Sequence, residues 1–246
     1  MALPKLEVPT YELELPISKK TIKYRPFLVK EQKILLMAME SKDSKTIQSS
    51  ILDVLNTCIL TPEFNISSVP IIDIEYLFLQ LRAKSVGEIV ESKYRCNNEV
   101  IKEDGNTKEC GNIIETKINL TQILPVQDKI VDPEIHLTEK IVIKMKYPEF
   151  RLLNADVDYS DVASLTFKMI ASCIEHIFDG EQFYYSSEIS EEELIEFVEN
   201  LNQEQFEKLE EFFNNMPRMT QKIQMTCKKC GYVHNFEVEG LEDFFG

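Results

Sequence analysis

Cys227-Lys-Lys-Cys230-Gly231, set between two stretches of strand-like alternation, is the strongest structural instruction in this chain. The short spacing lets both thiolates face one metal ion, and the glycine permits a tight turn that frees backbone amides to bond the sulfurs. Alone it supplies half of a tetrahedral site, because structural zinc takes four ligands and sulfur suits it well. The matching half is Cys96 with Cys110-Gly111, which also sits between strand-like segments. Asn97–Glu109 reads as a polar loop inserted into that second knuckle, which is tolerable because the cost of closing a loop grows slowly with its length. The pattern of strand, cysteine, cysteine-glycine, strand thus occurs at 88–120 and again at 219–238. A shared zinc would clip an early segment to a late one and turn metal affinity into folding energy.

Other readings of these thiols stay open. Cys227 and Cys230 form a redox pair in one, although the strand-to-helix setting of thioredoxin-like motifs is missing. In another, His234 replaces a cysteine as ligand, against which stands its place inside a strand. The clustering of four thiols by chance is the third. Cys58 and Cys173 fall within helical apolar patterns and read as core. Met1 to Pro9 lacks a basic stretch followed by an apolar run, so no secretory signal is expected. In a cytosol-like compartment six cysteines point to metal or packing before disulfides.

Function classes narrow by what the sequence omits. Seven glycines make phosphate-cradling loops unexpected, and the three histidines form no His-Glu-x-x-His. No nucleophile elbow, Walker loop or dinucleotide fingerprint occurs. The acidic groups Glu191–Glu193, Glu210 with Glu211, and Asp156 with Asp158 read as solvated faces rather than catalytic pairs. A zinc closed by four protein ligands has no position for water. The expectation is therefore a binding or structural protein, not an enzyme. The net charge of -15, from 42 acidic and 27 basic residues, repels nucleic-acid phosphate and anionic lipid and favours protein partners, basic ones above all. The same charge also serves solubility alone. No segment approaches the roughly 20 apolar residues of a membrane span.

With 246 residues the chain can bury one sizeable core or two modest ones. Tyr11–Leu15 and Ile22–Tyr24 alternate around a turn at 16–21 and predict a hairpin. Helices are expected at 29–41 (apolar at Ile34, Leu35, Ala38 and Met39), 44–60 and 71–83 (Ile74, Leu77, Phe78 and Leu81). Strands are expected at 87–95, 113–120, 134–146, 220–225 and 232–238. The most apolar helix is expected at 160–178, as a central core element with Leu165, Phe167, Met169, Ile170, Ile174 and Ile177. Ser190-Glu-Glu-Glu193 is a capping box opening an acidic helix at 191–201, and 203–214 forms another. The fold class is α+β: helices packed with small antiparallel sheets and a split four-cysteine zinc ribbon. Four segments are expected: 1–86, an N-terminal hairpin and helices; 87–120, the first zinc hairpin; 121–218, a linker, strand and helical segment; and 219–246, the second zinc hairpin and tail.

Several stretches, in their order, resemble the baseplate proteins of T-even-type contractile-tailed phages. They are Glu14-Leu-Pro16, Ile22-Lys-Tyr-Arg-Pro-Phe-Leu-Val-Lys-Glu31, Leu81-Arg-Ala-Lys-Ser-Val-Gly-Glu88, Tyr94-Arg-Cys96, Cys227-Lys-Lys-Cys230-Gly231 and Asp243-Phe-Phe245. The resemblance covers nearly the whole chain, with 121–215 the least diagnostic part and the long insert after Cys96 a departure. It implies a subunit or assembly factor of the baseplate hub, bound to other hub or tail proteins and located in the virion tail baseplate, or in the host cytoplasm during assembly. The alternative is a zinc-ribbon regulatory or processing factor, such as a transcription-associated protein, against which the acidic charge argues. Tyr24-Arg-Pro-Phe27 reads either as a docking strand or as an anchor for the first helix. Leu241, Phe244 and Phe245 are core plugs or a partner-binding hook, and the acidic helices at 191–213 are placed to face a basic partner.

Overall fold

The computed structural model describes residues 6–101, 105–154 and 162–239. It is an α+β protein, as the patterning predicts, with small antiparallel sheets and separate helical packing units. Asp156, Asp158, Leu241, Phe244 and Phe245, singled out above, lie outside the described residues.

The N-terminal unit begins with β1 (Tyr11–Glu14) and β2 (Thr21–Tyr24), paired antiparallel with Leu13 opposite Ile22. Three helices cover this hairpin: α1 (Val29–Ser41), α2 (Ser44–Cys58) and α3 (Ile71–Val86). Asp43 caps α2 by accepting from the Thr46 amide at 2.9 Å. At the start of α1, Glu31 reaches back to the Leu28 amide at 2.7 Å and pairs with Arg25 at 3.1 Å, although it is buried. Asp73 of α3 is fully buried, and its two carboxylate oxygens accept from the amides of Ile17 and Ser18 at 2.7 and 2.8 Å. Charge-assisted bonds of this kind fix the hairpin turn against α3.

Tyr24-Arg-Pro-Phe27 is the anchor of the two readings above. Tyr24 and Phe27 are buried, the Arg25 amide donates to the Cys58 carbonyl, and the Phe27 amide donates to Ser85 Oγ, both at 2.9 Å. In α1, Leu35 and Ala38 are buried as expected, whereas Ile34 is exposed. α3 is the most deeply embedded helix described. Ile74, Leu77, Phe78 and Leu81 enter the N-terminal core, while Ile72, Leu79 and Ala83 pack against Leu120, Ile123 and Met219. A helix apolar on most sides is one with neighbours on most sides.

Next in the chain come β3 (Ile89–Arg95), β4 (Glu99–Ile101), β5 (Thr107–Glu109) and β6 (Ile113–Asn119). β3 pairs with β6, and β4 with β5, both antiparallel. The insert expected as a loop is thus a small hairpin of its own, in which the β-branched pair Val100-Ile101 faces Lys108 and Thr107. A short β7 (Pro125–Val126) then leads to the second unit.

That unit is a four-stranded antiparallel sheet of β8 (Glu134–His136), β9 (Val142–Met145), β10 (Ile174–Phe178) and β11 (Phe183–Tyr185), in the order β11-β10-β9-β8. The single strand expected at 134–146 is two strands. The Ile141 amide donates to Thr138 Oγ1 at 2.9 Å and the Leu137 amide to the Ile141 carbonyl at 3.0 Å, closing a turn that alternation alone does not mark.

The helix expected at 160–178 is also two elements, α4 (Val162–Ser172) and β10. Its apolar residues crowd too many faces for one helix because they change periodicity near Cys173. Ile174, His176, Ile177 and Phe178 are the β-branched and ring side chains that suit a pleated surface. Ile170, Ile174 and Ile177 are buried, but Met169 is exposed. α5 (Glu191–Glu199) and α6 (Gln203–Asn214) complete the unit. The capping box at Ser190 is present, and Asn202 with Gln205 forms another. Glu191–Glu193, Glu210 and Glu211 are exposed, as solvated faces should be. Finally β12 (Arg218–Thr226) pairs with β13 (Val233–Glu239) along its length and with β7 at its start.

Candidate metal centre

Two hairpin tips meet at this site. β3 and β6 flank Cys96 and Cys110, and β12 and β13 flank Cys227 and Cys230. The arms pack through rings: Tyr94 lies edge-on to Phe236 at 4.3 Å and to His234 at 5.1 Å. At each tip the glycine adopts the left-handed backbone that the turn requires, φ +64° at Gly111 and +72° at Gly231. The Gly111 amide donates to the Cys96 carbonyl at 2.9 Å and the Gly231 amide to the Cys227 carbonyl at 2.8 Å, so the two turns are built alike.

The four sulfurs lie within 4.8 Å of one another. Cys96 Sγ is 3.7 Å from Cys230 Sγ, and Cys110 Sγ is 3.8 Å from Cys227 Sγ. These separations are far above a disulfide bond of about 2.0 Å. They match the edge of a tetrahedron of sulfurs about 2.3 Å from a central zinc, which is about 3.8 Å. Cys96, Cys110 and Cys227 are buried and Cys230 is half-buried. The donor set, its number and its spacing therefore fit a closed four-thiolate zinc site.

Donors surround the sulfurs. The Cys230 amide, with help from that of Lys229, draws the Cys227 thiol down to about 6, against the effect of burial. The Asn98 amide bonds Cys96 Sγ, and the Asn112 amide bonds Cys110 Sγ. Burial and the neighbouring sulfurs nevertheless push the Cys96 thiol up to about 12. Four thiolates this close repel one another unless a cation lies between them. Side chains add three polar contacts to the sulfurs that sequence reasoning did not assign. Asn98 Nδ2 is 3.7 Å from Cys230 Sγ, Asn112 Nδ2 is 3.5 Å from Cys227 Sγ, and His234 Nε2 is 3.1 Å from Cys96 Sγ. A signal for the asparagines was present, since each lies two residues after a cysteine.

His234 is thus beside the sulfur cluster, buried among Tyr94, Tyr232 and Phe236, and not one of the four converging groups. The Cys227–Cys230 pair faces another hairpin, not a helix start, which removes the structural setting of the redox reading. Cys58 and Cys173 are buried core residues, and burial raises their thiols to about 11 and about 12. Among the described residues no helix is long and apolar enough to cross a membrane.

Comparison with curated proteins and with solved structures gives no match. The family model of the T4 bacteriophage base plate protein, in contrast, matches residues 8–246, from before β1 to the last residue of the sequence. The chain belongs to the T4 bacteriophage base plate protein family, and is a structural protein of the phage tail.

Proposed function

We propose that this protein is a hub subunit or hub assembly factor of the baseplate, acting by protein–protein binding, with one structural zinc held by Cys96, Cys110, Cys227 and Cys230. The observation that carries the metal reading is the convergence of four sulfurs within 4.8 Å from hairpin tips distant in sequence. A zinc there supplies cross-linking and nothing catalytic, because four protein ligands leave no open position. Its effect is to hold segment 87–120 to segment 219–246, while segments 1–86 and 121–218 supply the helical cores. Asn98, Asn112 and His234 would orient and partly neutralise the thiolates, as outer partners of metal ligands do.

Architecture rather than turnover is supported by the family, by the acidic exposed faces of α5 and α6 and by the closed donor set. Partners are other hub or tail proteins, in the virion or in the host cytoplasm during assembly. The test is capture of tail-hub components from infected cells by intact protein and by Cys227→Ser/Cys230→Ser protein, beside mass spectrometry of purified virions. Intact protein should capture hub components and the double variant should not. Detection in virions supports the subunit, and detection only in lysate supports the assembly factor. Complete baseplates in phage lacking the protein would sink both.

A further inference from the structure

A cleft of about 210 Å³ opens where three parts of the molecule meet. Its walls are Ile71, Ile72 and Glu75 of α3, Tyr147 and Pro148 after β9, Met216–Met219 entering β12, and Glu239 ending β13. The first two walls are bonded together, since the Ile71 amide donates to the Pro148 carbonyl at 3.0 Å. Apolar side chains make up most of the lining, yet two acidic residues, Glu75 and Glu239, belong to it. Glu75 makes no hydrogen bond or ion pair with the described residues. Arg218, itself part of the wall, is engaged by Asp128 at 2.9 Å.

A carboxylate in an apolar cleft whose one basic wall residue, Arg218, is paired with Asp128 is costly in the isolated protein. Burial, and then the charge of Glu239, push the Glu75 carboxyl up to about 7. Nothing in the packing of α3 requires an acid there, because neighbouring Ile71, Ile72 and Ile74 fill the apolar contacts. The cleft is smaller than the roughly 300–1,000 Å³ of small-molecule pockets and suits a single long side chain. A lysine or arginine fits its chemistry: the aliphatic stem lies along Ile72, Met216 and Met219, and the cationic head meets Glu75 and Glu239.

We propose that this cleft is the docking point for a lysine or arginine side chain of another baseplate protein, received between apolar walls and paired with Glu75. The proposal rests on the chain's place in the baseplate. It commits to a cationic partner on charge complementarity. The chain's own segment 240–246, which follows Glu239, carries Glu242 and Asp243 and no basic residue, so its charge has the wrong sign.

The experiment uses phage carrying Glu75→Gln or Glu75→Arg, with purified full-length protein of each. Glu75→Gln should raise the thermal midpoint by a few degrees, by removing an unpartnered acid, and should lower the yield of complete baseplates at least five-fold. A merely structural role for Glu75 would not raise stability while lowering assembly. Glu75→Arg should lower the yield further, and its revertants should replace a lysine or arginine of another baseplate protein by an acid. The proposal is overturned if Glu75→Gln assembles normally, whatever Glu75→Arg does, since the charge is then not used. It is also overturned if revertants map to residues 240–246, which would make the tail the occupant. Phage lacking the protein serve as the control: if they build complete baseplates, the baseplate role falls together with the cleft. If they build none while Glu75→Gln is normal, the cleft alone falls.

Discussion

Cys96 Sγ and Cys230 Sγ stand 3.7 Å apart, across 134 positions of sequence. Among the described residues no strand of one hairpin pairs with a strand of the other; the tips meet through ring packing, the sulfurs and Lys229 Nζ, which donates to the Cys110 carbonyl at 3.4 Å. Three of the four cysteines, with Val100 and Ile114 beside them, form a small cluster of their own, apart from the three larger apolar clusters. A cluster of that size buries little apolar surface, and small units of this kind are held by metal or disulfide rather than by a core.

Metal removal should therefore loosen the hairpins before the helices. Purified protein should contain about one zinc per chain. Chelation should increase amide exchange in β3, β6, β12 and β13 while α2 and α3 stay protected. Hydrogen exchange read by mass spectrometry checks this. Equal loss of protection in every element, or no zinc in reduced protein prepared without chelator, would count against the clip.

His234 gives a second, finer test. Its Nε2 is 3.1 Å from Cys96 Sγ, and its ring stacks on Phe236 at 5.9 Å. Replacing it with phenylalanine keeps the ring packing and removes the donor to sulfur. Loss of such an outer partner lowers metal affinity by about 10–100-fold. Competition with a chromophoric chelator should show that drop, with the zinc-free fold little changed. An unaltered affinity would mean that His234 only packs.

The convergence of the four cysteines was legible in the sequence because cysteine-glycine turns between alternating segments have few other uses. The donors around them were not, since an asparagine two residues after a cysteine is also an ordinary turn residue. Helix starts with side-chain caps, Ser190 and Asp43, were readable locally. The boundary inside 160–178 was not, because Cys173 carries no turn signal and its neighbours are apolar in either periodicity. The central role of α3 was hidden for a related reason: what surrounds a helix on several sides is settled by long-range packing. Glu75 illustrates the converse. In sequence it is one acid among 42, and only the apolar walls around it give it meaning.

The second unit can be tested through α4. Ile170 is buried beside Ile174, Leu194 and Leu209, and it is the last turn of α4 before the chain enters β10. Ile170→Asp would bury an unpaired charge and should cost more than about 4 kcal/mol, enough to unfold the unit. Met169→Asp, one residue earlier on the exposed side, should cost well under about 1 kcal/mol. Urea unfolding of the two variants separates them. Similar midpoints would mean that α4 is turned differently from the orientation found.

Glu31 predicts how stability responds to acid. Burial acts to raise its carboxyl, but the Leu28 amide and then Arg25 more than offset that and hold it below the usual range. A folded value below the unfolded one means a stabilising contribution that is complete above the unfolded pKa of about 4.3. It is lost as pH falls through the folded value, when the carboxyl accepts a proton and the Arg25 pairing weakens. Glu31→Gln keeps the shape and still accepts from Leu28, but it forfeits the charge. At pH 7 it should be less stable by about 1–3 kcal/mol, because Arg25 keeps a weakened partner. The gap should narrow as pH falls below the unfolded pKa of about 4.3, where the charge of wild type comes to favour the folded state less and less. Paired denaturation series at pH 7 and pH 3.5, both without metal so that thiolate protonation does not enter, give the measurement. A gap that stays constant over that interval would show that Glu31 acts through packing and not through its charge.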